Sequence, residues 1–170
     1  PDDQNMLDLV TAVKEVKSIP FEQALAEGWI EWIGPERREG YVAANLKLHK
    51  QGIQPIKIAY TPMHGTGTTS VGEVLKKAGH DLAIYPSQSS FDGSFPNVRY
   101  RTPNPEVREA MGDITEWAAE QKADIALATD PDADRIGLVA PNANGEWRFF
   151  SGHEIAAILT QYRLETLQKE

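Results

Sequence analysis

The chain has 170 residues with 25 acidic and 17 basic side chains, which give it a net charge of −8 at pH 7. A negative charge disfavours binding to nucleic-acid phosphates, and no apolar run reaches the roughly 20 residues of a membrane span, so we expect neither nucleic acid nor membrane as a partner. The sequence contains no cysteine, which excludes disulfides and thiolate metal sites.

Residues 1–50 are polar and favour helix, with interruptions at Gly28 and at the pair Gly34-Pro35. Glycine and proline mark turns, so this pattern predicts an N-terminal helical arm with one or two short helices. We expect the arm to connect a preceding domain to residues 51–170. The chain begins without methionine and without a signal-peptide pattern, and it ends in a charged helical run. These features predict a segment of a longer, cytoplasmic protein.

Residues 51–170 alternate between apolar segments that favour strands and segments that favour helices. The predicted strands cover residues 56–63, 81–88, 123–130, 135–142 and 146–152. The predicted helices cover residues 67–79, 106–122 and 153–170, and the last of them is expected to be amphipathic. Asn144-Gly145 is a strong hairpin signal. This order predicts an α/β protein, a three-layer α/β/α domain with a mixed, mostly parallel sheet of about four strands closed by an antiparallel hairpin strand.

The segment ATDPDADRIGLV, residues 128–139, places Asp130, Asp132 and Asp134 between two apolar runs. Two carboxylates about 4 Å apart repel by roughly 4 kcal/mol at an effective dielectric constant of about 20, so a cluster of three favours protonation or a bound cation. Alternate residues of an extended segment share a side, and these carboxylates can therefore converge on one ion. Oxygen ligands suit Mg²⁺, Mn²⁺ or Ca²⁺ rather than zinc. Arg135 follows directly, and its planar guanidinium can hold a phosphate beside the ion.

The acidic loop also allows interpretations other than a divalent-cation site beside a phosphate-binding arginine. An EF-hand is excluded, because Arg135 and Pro141 occupy the positions at which that loop needs Gly and Glu. The spacing still allows a phosphatase that uses Asp130 as an aspartyl-phosphate nucleophile, or a nucleotide-sugar transferase with an Asp-x-Asp metal site. A solvated turn, or a non-catalytic domain that retains the fold, would carry the same residues without chemistry.

Two further residues are candidates for binding phosphate. Ligands of open α/β sheets bind at the carboxyl ends of the strands, and the segment TPMHGTG, residues 61–67, is expected there. His64 in this segment either positions a phosphate near the acidic loop or braces the turn through hydrogen bonds. The loop at residues 89–106 is long, and long loops in compact domains are often functional. Its Arg101 is a candidate for a phosphate or domain-interface contact.

Three motifs of this sequence together resemble those of one known family. They are YTPMHGTG, DGSFPNVRYRTPNPE and ATDPDADRIGLV, in this order. They are similar to the second domain of the α-D-phosphohexomutases, which include the phosphoglucomutases and phosphomannomutases, and the similarity extends over residues 53–158. The resemblance implies a four-domain enzyme in which a phosphoserine exchanges its phosphoryl group with a sugar phosphate. The phosphate then moves between C1 and C6 of a hexose through a bisphosphorylated sugar.

The resemblance also implies roles for individual residues. Mg²⁺ is expected to bridge the serine phosphate and the loop carboxylates Asp130, Asp132 and Asp134, and Arg135 matches the arginine that follows them. The implied partners are a hexose phosphate and two other parts of the parent chain, the phosphoserine domain and the sugar-recognition domain. The family's Ser-His-Asn-Pro run and Glu-x-Ser-Gly segment do not occur in this sequence. We therefore expect the isolated chain to be inactive.

Overall fold

The computed structural model describes residues 2–49 and 53–167 of the chain. The chain divides into two compact units, residues 1–37 and residues 38–170. Among the described residues, no helix combines the length and the apolar character that crossing a membrane requires.

Three helices lie within residues 2–49, the described part of the N-terminal arm, for which the sequence predicts one or two. They are α1 (Asp2–Ala12), α2 (Phe21–Ala26) and α3 (Pro35–Leu46). Gly28 follows α2 with a φ of +76°, a left-handed conformation that glycine adopts without steric cost. Pro35 begins α3, at a position where the missing N–H of proline loses no helical hydrogen bond. The glycine and proline signals therefore mark helix boundaries, and α1 is the additional helix.

The second unit contains a five-stranded mixed sheet. Its strands are β1 (Lys57–Thr61), β2 (Asp81–Ile84), β3 (Ile125–Thr129), β4 (Ile136–Pro141) and β5 (Trp147–Phe150). The spatial order is β2-β1-β3-β4-β5, with β1 parallel to β2 and β3, and β4 antiparallel to β3 and β5. Four strands therefore run in one direction and β4 runs in the other. The predicted mixed sheet closed by a hairpin is confirmed.

Helices cover both faces of the sheet. They are α4 (Val71–Lys77), α5 (Gly112–Glu120) and α6 (Gly152–Leu167). Parallel pairing places Ile58 beside Leu82 on one face, where Leu82 approaches Gly72 of α4. Ala59 points to the opposite face, because successive strand residues alternate, and it belongs to the same buried cluster as Ile114 of α5. This arrangement confirms the three-layer α/β/α class.

Three predicted helices differ in detail from those observed. The helix predicted over residues 67–79 is preceded by a 3₁₀ turn at Thr66–Thr69 and is α-helical only over Val71–Lys77. The segment predicted as one helix over residues 106–122 begins with a 3₁₀ turn at Arg108–Met111 and becomes α-helical at Gly112. The Pro105 carbonyl lies so close to β4 that a Cβ at Gly137 would be 2.7 Å from it, which holds the start of the segment against the sheet. Helix α6 is present, but only Ile155 is buried among its described residues, so this helix buries no apolar stripe against the rest of the described chain.

The parallel strands determine where the candidate site lies. Because β1, β2 and β3 run in the same direction, their carboxyl ends share one edge of the sheet. The segments that leave this edge are residues 62–66 after β1, residues 85–92 after β2 and residues 130–135 after β3. Residues far apart in sequence therefore meet there, which is the usual location of a ligand site in an open α/β sheet.

Candidate metal centre

The acidic loop after β3 is a tight turn, whereas the alternation of its aspartates predicted an extended segment. The Ala133 N–H donates to the Asp130 carbonyl at 3.1 Å, and Ala133 has a φ of +62°. A left-handed conformation is costly for a residue with a Cβ and persists only where the surrounding structure enforces it. The turn therefore brings the carboxylates together, and alternation along an extended chain is not the cause.

Asp130, Asp132 and Asp134 each place a carboxylate oxygen within 4.8 Å of the other two. Asp130 is only 1% exposed, whereas Asp132 and Asp134 are open to solvent. Mg²⁺ prefers hard oxygen ligands and usually retains water or substrate oxygens in part of its shell. A cluster with one buried and two exposed carboxylates fits such an ion, because the open side leaves room for those additional ligands.

Arg135 holds the buried carboxylate of Asp130. Its backbone N–H donates to Oδ1 of Asp130 at 3.0 Å, and its Nε donates to Oδ2 at 3.0 Å. Burial by itself raises a carboxyl pKa, but the amide hydrogen bond and the guanidinium charge outweigh it, so the pKa of Asp130 lies below its ordinary value. Asp130 is therefore ionised at neutral pH. The Arg135 side chain is 46% exposed, and its Nη atoms form no hydrogen bond within residues 2–49 and 53–167.

Repulsion within the cluster acts on the third carboxylate. The negative charge of Asp132, followed by that of Asp130, raises the pKa of Asp134 above its ordinary value. Arg135 Nε lies 3.6 Å from an Asp134 oxygen and offsets part of this repulsion. The loop thus concentrates more negative charge than its single arginine neutralises, which is the electrostatic condition that favours a bound cation.

The segment after β1 contacts the backbone of the acidic loop at Pro131. Thr66 donates its N–H at 2.8 Å and its hydroxyl at 3.1 Å to the carbonyl of Pro131. The backbone of Gly65 lies so close that a Cβ at this position would overlap the Cα and carbonyl of Pro131. Glycine permits close approach of the backbone to a ligand or a neighbouring loop. For Gly65, the neighbour is the acidic loop itself.

A buried hydroxyl pair lies beneath the two segments. The hydroxyls of Tyr60, on β1, and Thr129, on β3, share a hydrogen bond of 2.8 Å. Gly67 packs against both, because a Cβ there would overlap the Tyr60 hydroxyl. Burial raises the pKa of Tyr60 to about 12, although the bond to Thr129 acts in the opposite direction. The pair fixes the end of β3 directly before Asp130.

His64 lies between the acidic loop and the segment after β2. It is 4% exposed and has a φ of +67°. Its N–H donates to the Gln88 carbonyl at 2.9 Å, its Nδ1 lies 2.8 Å from the Ser90 carbonyl, and its own carbonyl accepts from Asp92 N–H at 3.4 Å. The Nε2 atom is buried and has no partner among the described residues. These contacts correspond to the bracing role that the sequence argument considered.

Arg101 lies on the long loop and is exposed. Its backbone φ is +52°, next to Tyr100 with a φ of +59°. Within the described residues, no hydrogen bond or ion pair joins its side chain to the acidic loop. The neighbouring Arg99 instead pairs with Asp113 of α5 at 2.9 Å, which attaches the loop to the helix.

Three residues of the site were not identified from the sequence. They are Tyr60, Thr66 and Thr129, which connect β1 and its following segment to the acidic loop. The available signal was the GTG sequence at residues 65–67, since two glycines around a threonine indicate close backbone contact on both sides. The partner of that contact lies 65 positions away along the chain, where no sequence periodicity could reveal it.

Comparison with known proteins identifies the domain. Residues 39–145 match the family model described as phosphoglucomutase/phosphomannomutase, alpha/beta/alpha domain II. A phosphoglucomutase from Staphylococcus haemolyticus is 38% identical over 111 residues, which cover 65% of this chain and 20% of that protein. A phosphoglucomutase from Staphylococcus saprophyticus is 32% identical over 157 residues, which cover 88% of this chain and 27% of that protein. The chain thus spans about a quarter or less of the length of these relatives.

A solved structure supports the same assignment. A phosphoglucomutase/phosphomannomutase family protein from Burkholderia thailandensis aligns with a TM-score of 0.54 at 25% identity, covering 65% of this chain and 22% of that one. The family model itself, over residues 39–145, covers strands β1 to β4 and the acidic loop. The chain therefore belongs to the phosphoglucomutase/phosphomannomutase family and comprises its α/β/α domain II.

Proposed function

We propose that this chain is the magnesium-binding domain of a phosphohexomutase that interconverts hexose 1-phosphate and hexose 6-phosphate through a phosphoserine and a bisphosphorylated sugar. The observation that carries the proposal is the convergence of three carboxylate oxygens within 4.8 Å at the end of β3, in a domain of this family. The partners we propose are the phosphoserine and sugar-recognition domains of the parent chain, together with the hexose phosphate. The cytoplasmic location expected from the sequence also stays a prediction.

The three aspartates of the loop would bind the metal. Asp130, Asp132 and Asp134 would hold Mg²⁺, which supplies positive charge that stabilises the negative charge of a phosphoryl group during transfer. Asp130 is prepared for this role, because Arg135 keeps it ionised in a buried position. Asp132 and Asp134 face solvent and leave the site open to a phosphate from outside the domain.

Arg135 is the residue we propose to be catalytic. Its Nε is engaged by Asp130, which sets the orientation of the guanidinium. The exposed side chain has further N–H groups, and an arginine fork binds two phosphate oxygens at once. A guanidinium fixed in this way orients a phosphate without first losing side-chain freedom, which is the main contribution a protein makes to phosphoryl transfer.

For Arg101 and His64 the proposals differ. We propose that Arg101, whose side chain is exposed, contacts a phosphate or a neighbouring domain. The burial of His64 and the engagement of its Nδ1 favour a positioning role over direct phosphate contact.

The phosphatase alternative is not favoured by the geometry of Asp130. A nucleophilic carboxylate needs an accessible oxygen, whereas Asp130 is 1% exposed and both its oxygens accept hydrogen bonds from Arg135. A non-catalytic domain that had lost its function would not need to keep three converging carboxylates. Both observations support the mutase assignment.

A metal titration of the 170-residue chain tests the proposal. Mn²⁺ binding is followed by the loss of the free-ion electron paramagnetic resonance signal, with Mg²⁺ as competitor. We expect one weak site in the wild type and at least a tenfold loss of affinity in D132N. D81N is the matched control, because Asp81 is an exposed carboxylate at the start of β2, away from the acidic loop. Equal affinity in D132N and D81N would contradict the proposal.

Activity provides a second test. The isolated chain is expected to convert no hexose 1-phosphate, since it carries neither the Ser-His-Asn-Pro motif of the phosphoserine nor the Glu-x-Ser-Gly motif of sugar recognition. In the full-length parent enzyme, D132N is expected to reduce turnover by at least a hundredfold and to leave the fold intact, because an exposed carboxylate contributes little to stability. Turnover by the isolated chain, or unchanged turnover in the variant enzyme, would contradict this assignment.

A further inference from the structure

We infer that His64 is a positioning residue for the acidic loop. It connects this loop to the segment after β2, and it makes no hydrogen bond to a carboxylate of the loop. This inference rests on the proposed metal-binding function. In this role, the buried imidazole of His64 stabilises the turn that contacts Pro131. Metal affinity then depends on a residue outside the three carboxylates.

The first half of the link runs from His64 to the segment after β2. Its main-chain N–H and C=O and its ring Nδ1 all bond to that segment, at Gln88, Asp92 and Ser90. Gln88 is itself buried, and its side chain bonds to the Thr61 hydroxyl at 2.7 Å and to the Asn97 carbonyl at 2.6 Å. His64 is therefore attached to a segment that is fixed in its turn.

The second half of the link runs from the next two residues to the acidic loop. Gly65 lies against Pro131 without space for a side chain, and Thr66 donates two hydrogen bonds to the Pro131 carbonyl. Pro131 stands between Asp130 and Asp132 in the chain. A shift of the His64 turn therefore moves the backbone that separates two of the three carboxylates.

The backbone of His64 explains why a side-chain bond is needed. His64 has a φ of +67° and the preceding Met63 a φ of +46°, so two successive residues with a Cβ occupy the left-handed region. Such residues cost free energy and relax unless other contacts hold them. A carbonyl can only accept, so the bond to Ser90 requires the proton on Nδ1. Nε2 has no partner within the described residues, and the ring therefore acts through Nδ1.

Three variants separate this role from general destabilisation. H64G removes the ring at a position where glycine adopts the observed φ without strain. H64N retains an N–H donor near the place of Nδ1, and asparagine tolerates positive φ better than most residues. H80A is the control. His80 Nδ1 accepts a hydrogen bond from the Ile56 N–H at 3.4 Å, and Ile56 directly precedes β1, so this contact lies at the edge of the sheet opposite the acidic loop.

Two measurements are made on the 170-residue chain. Amide hydrogen exchange of Thr66 is recorded without metal, and Mn²⁺ affinity is measured by electron paramagnetic resonance. H64G is expected to speed Thr66 exchange and weaken Mn²⁺ binding by about tenfold each, as for the loss of one buried hydrogen bond. H64N is expected to stay within about threefold of the wild type, and H80A to match it.

Each outcome decides the inference. Wild-type exchange and affinity in H64G would overturn it, as would an H64N variant as impaired as H64G. If H64G does not fold, H64N alone decides, and a change of more than about threefold overturns the inference. If the wild type binds no Mn²⁺, the proposed function fails, whereas Thr66 exchange without metal still reports whether His64 holds the turn.

Discussion

Arg135 donates to both carboxylate oxygens of Asp130, one through its backbone N–H and one through Nε, each at 3.0 Å. The two residues are five positions apart and enclose the whole acidic turn. A buried carboxylate without such donors would take up a proton or move to the surface. Arg135, the last residue of the acidic loop, therefore keeps Asp130, the first residue, negatively charged.

Removing the Arg135 side chain is expected to destabilise the chain. R135Q leaves the backbone hydrogen bond but deprives Asp130 of its cationic partner. Loss of a fully buried partner is strongly destabilising, but this guanidinium is 46% exposed and screened by solvent, so we expect a smaller, measurable decrease in the free energy of urea unfolding. R101Q is the control and is expected to stay within about 0.5 kcal/mol. Equal unfolding curves for the two variants would show that Arg135 does not stabilise Asp130.

Gly65 is expected to tolerate no side chain. A Cβ in G65A would overlap the backbone of Pro131, which cannot move without displacing the acidic loop. We expect a loss of about 1–3 kcal/mol in unfolding free energy, together with weaker Mn²⁺ binding. G93A is the matched control, since nothing lies within 4 Å of a Cβ there. It is expected to be neutral or slightly stabilising. A G65A protein with the stability of G93A would contradict the close contact.

The hydroxyl pair of Tyr60 and Thr129 is expected to show strong coupling. Y60F and T129V each leave one buried hydroxyl without its 2.8 Å partner, which costs about 1–3 kcal/mol. The double variant replaces both polar groups and is expected to cost less than the sum of the single changes. Urea unfolding of the four proteins measures the coupling energy. Simple additivity would indicate that the two hydroxyls do not interact.

Alkaline pH is expected to destabilise the chain through Tyr60. Its pKa is about 12 in the folded chain, against about 10 for an unfolded tyrosine. The stabilising contribution is complete below about pH 10 and is lost as pH rises to about 12, because only the unfolded chain releases the proton in that window. The unfolding free energy of the wild type is expected to fall more steeply there than that of Y60F. Parallel pH profiles for the two proteins would refute the burial of this hydroxyl.

Much of the fold follows from local patterns. Alternating apolar and helical segments predicted the strand and helix order, because burial requires period 2 in strands and period 3.6 in helices. Asn144-Gly145 predicted the hairpin between β4 and β5, where Gly145 has a φ of +81°. The Ser-x-x-Glu pattern at residues 151–154 forms a capping box at the start of α6, in which the Ser151 N–H donates to the Glu154 carboxylate and the Glu154 N–H donates to the Ser151 hydroxyl. Each of these features depends on residues within a few positions.

The acidic loop was predictable in composition but not in conformation. The charges of Asp130, Asp132 and Asp134 indicated a cation site, because like charges crowd at a cost. The assumption of an extended segment was wrong, since Ala133 adopts a left-handed conformation that alanine does not favour by itself. Local propensity does not predict that conformation, and the contacts of Gly65 and Thr66 with Pro131 in the same turn come from a distant part of the chain.

Local sequence patterns were enough to predict the order of strands and helices, the three carboxylates after a buried strand, and the arginine that follows them. The contact of Thr66 with Pro131, and its connection to Ser90 through His64, could be seen only in the folded chain. The physical reason is the parallel pairing of β1 with β2 and β3. It brings the three strand ends to one edge, where hydrogen bonds join residues that no local preference relates.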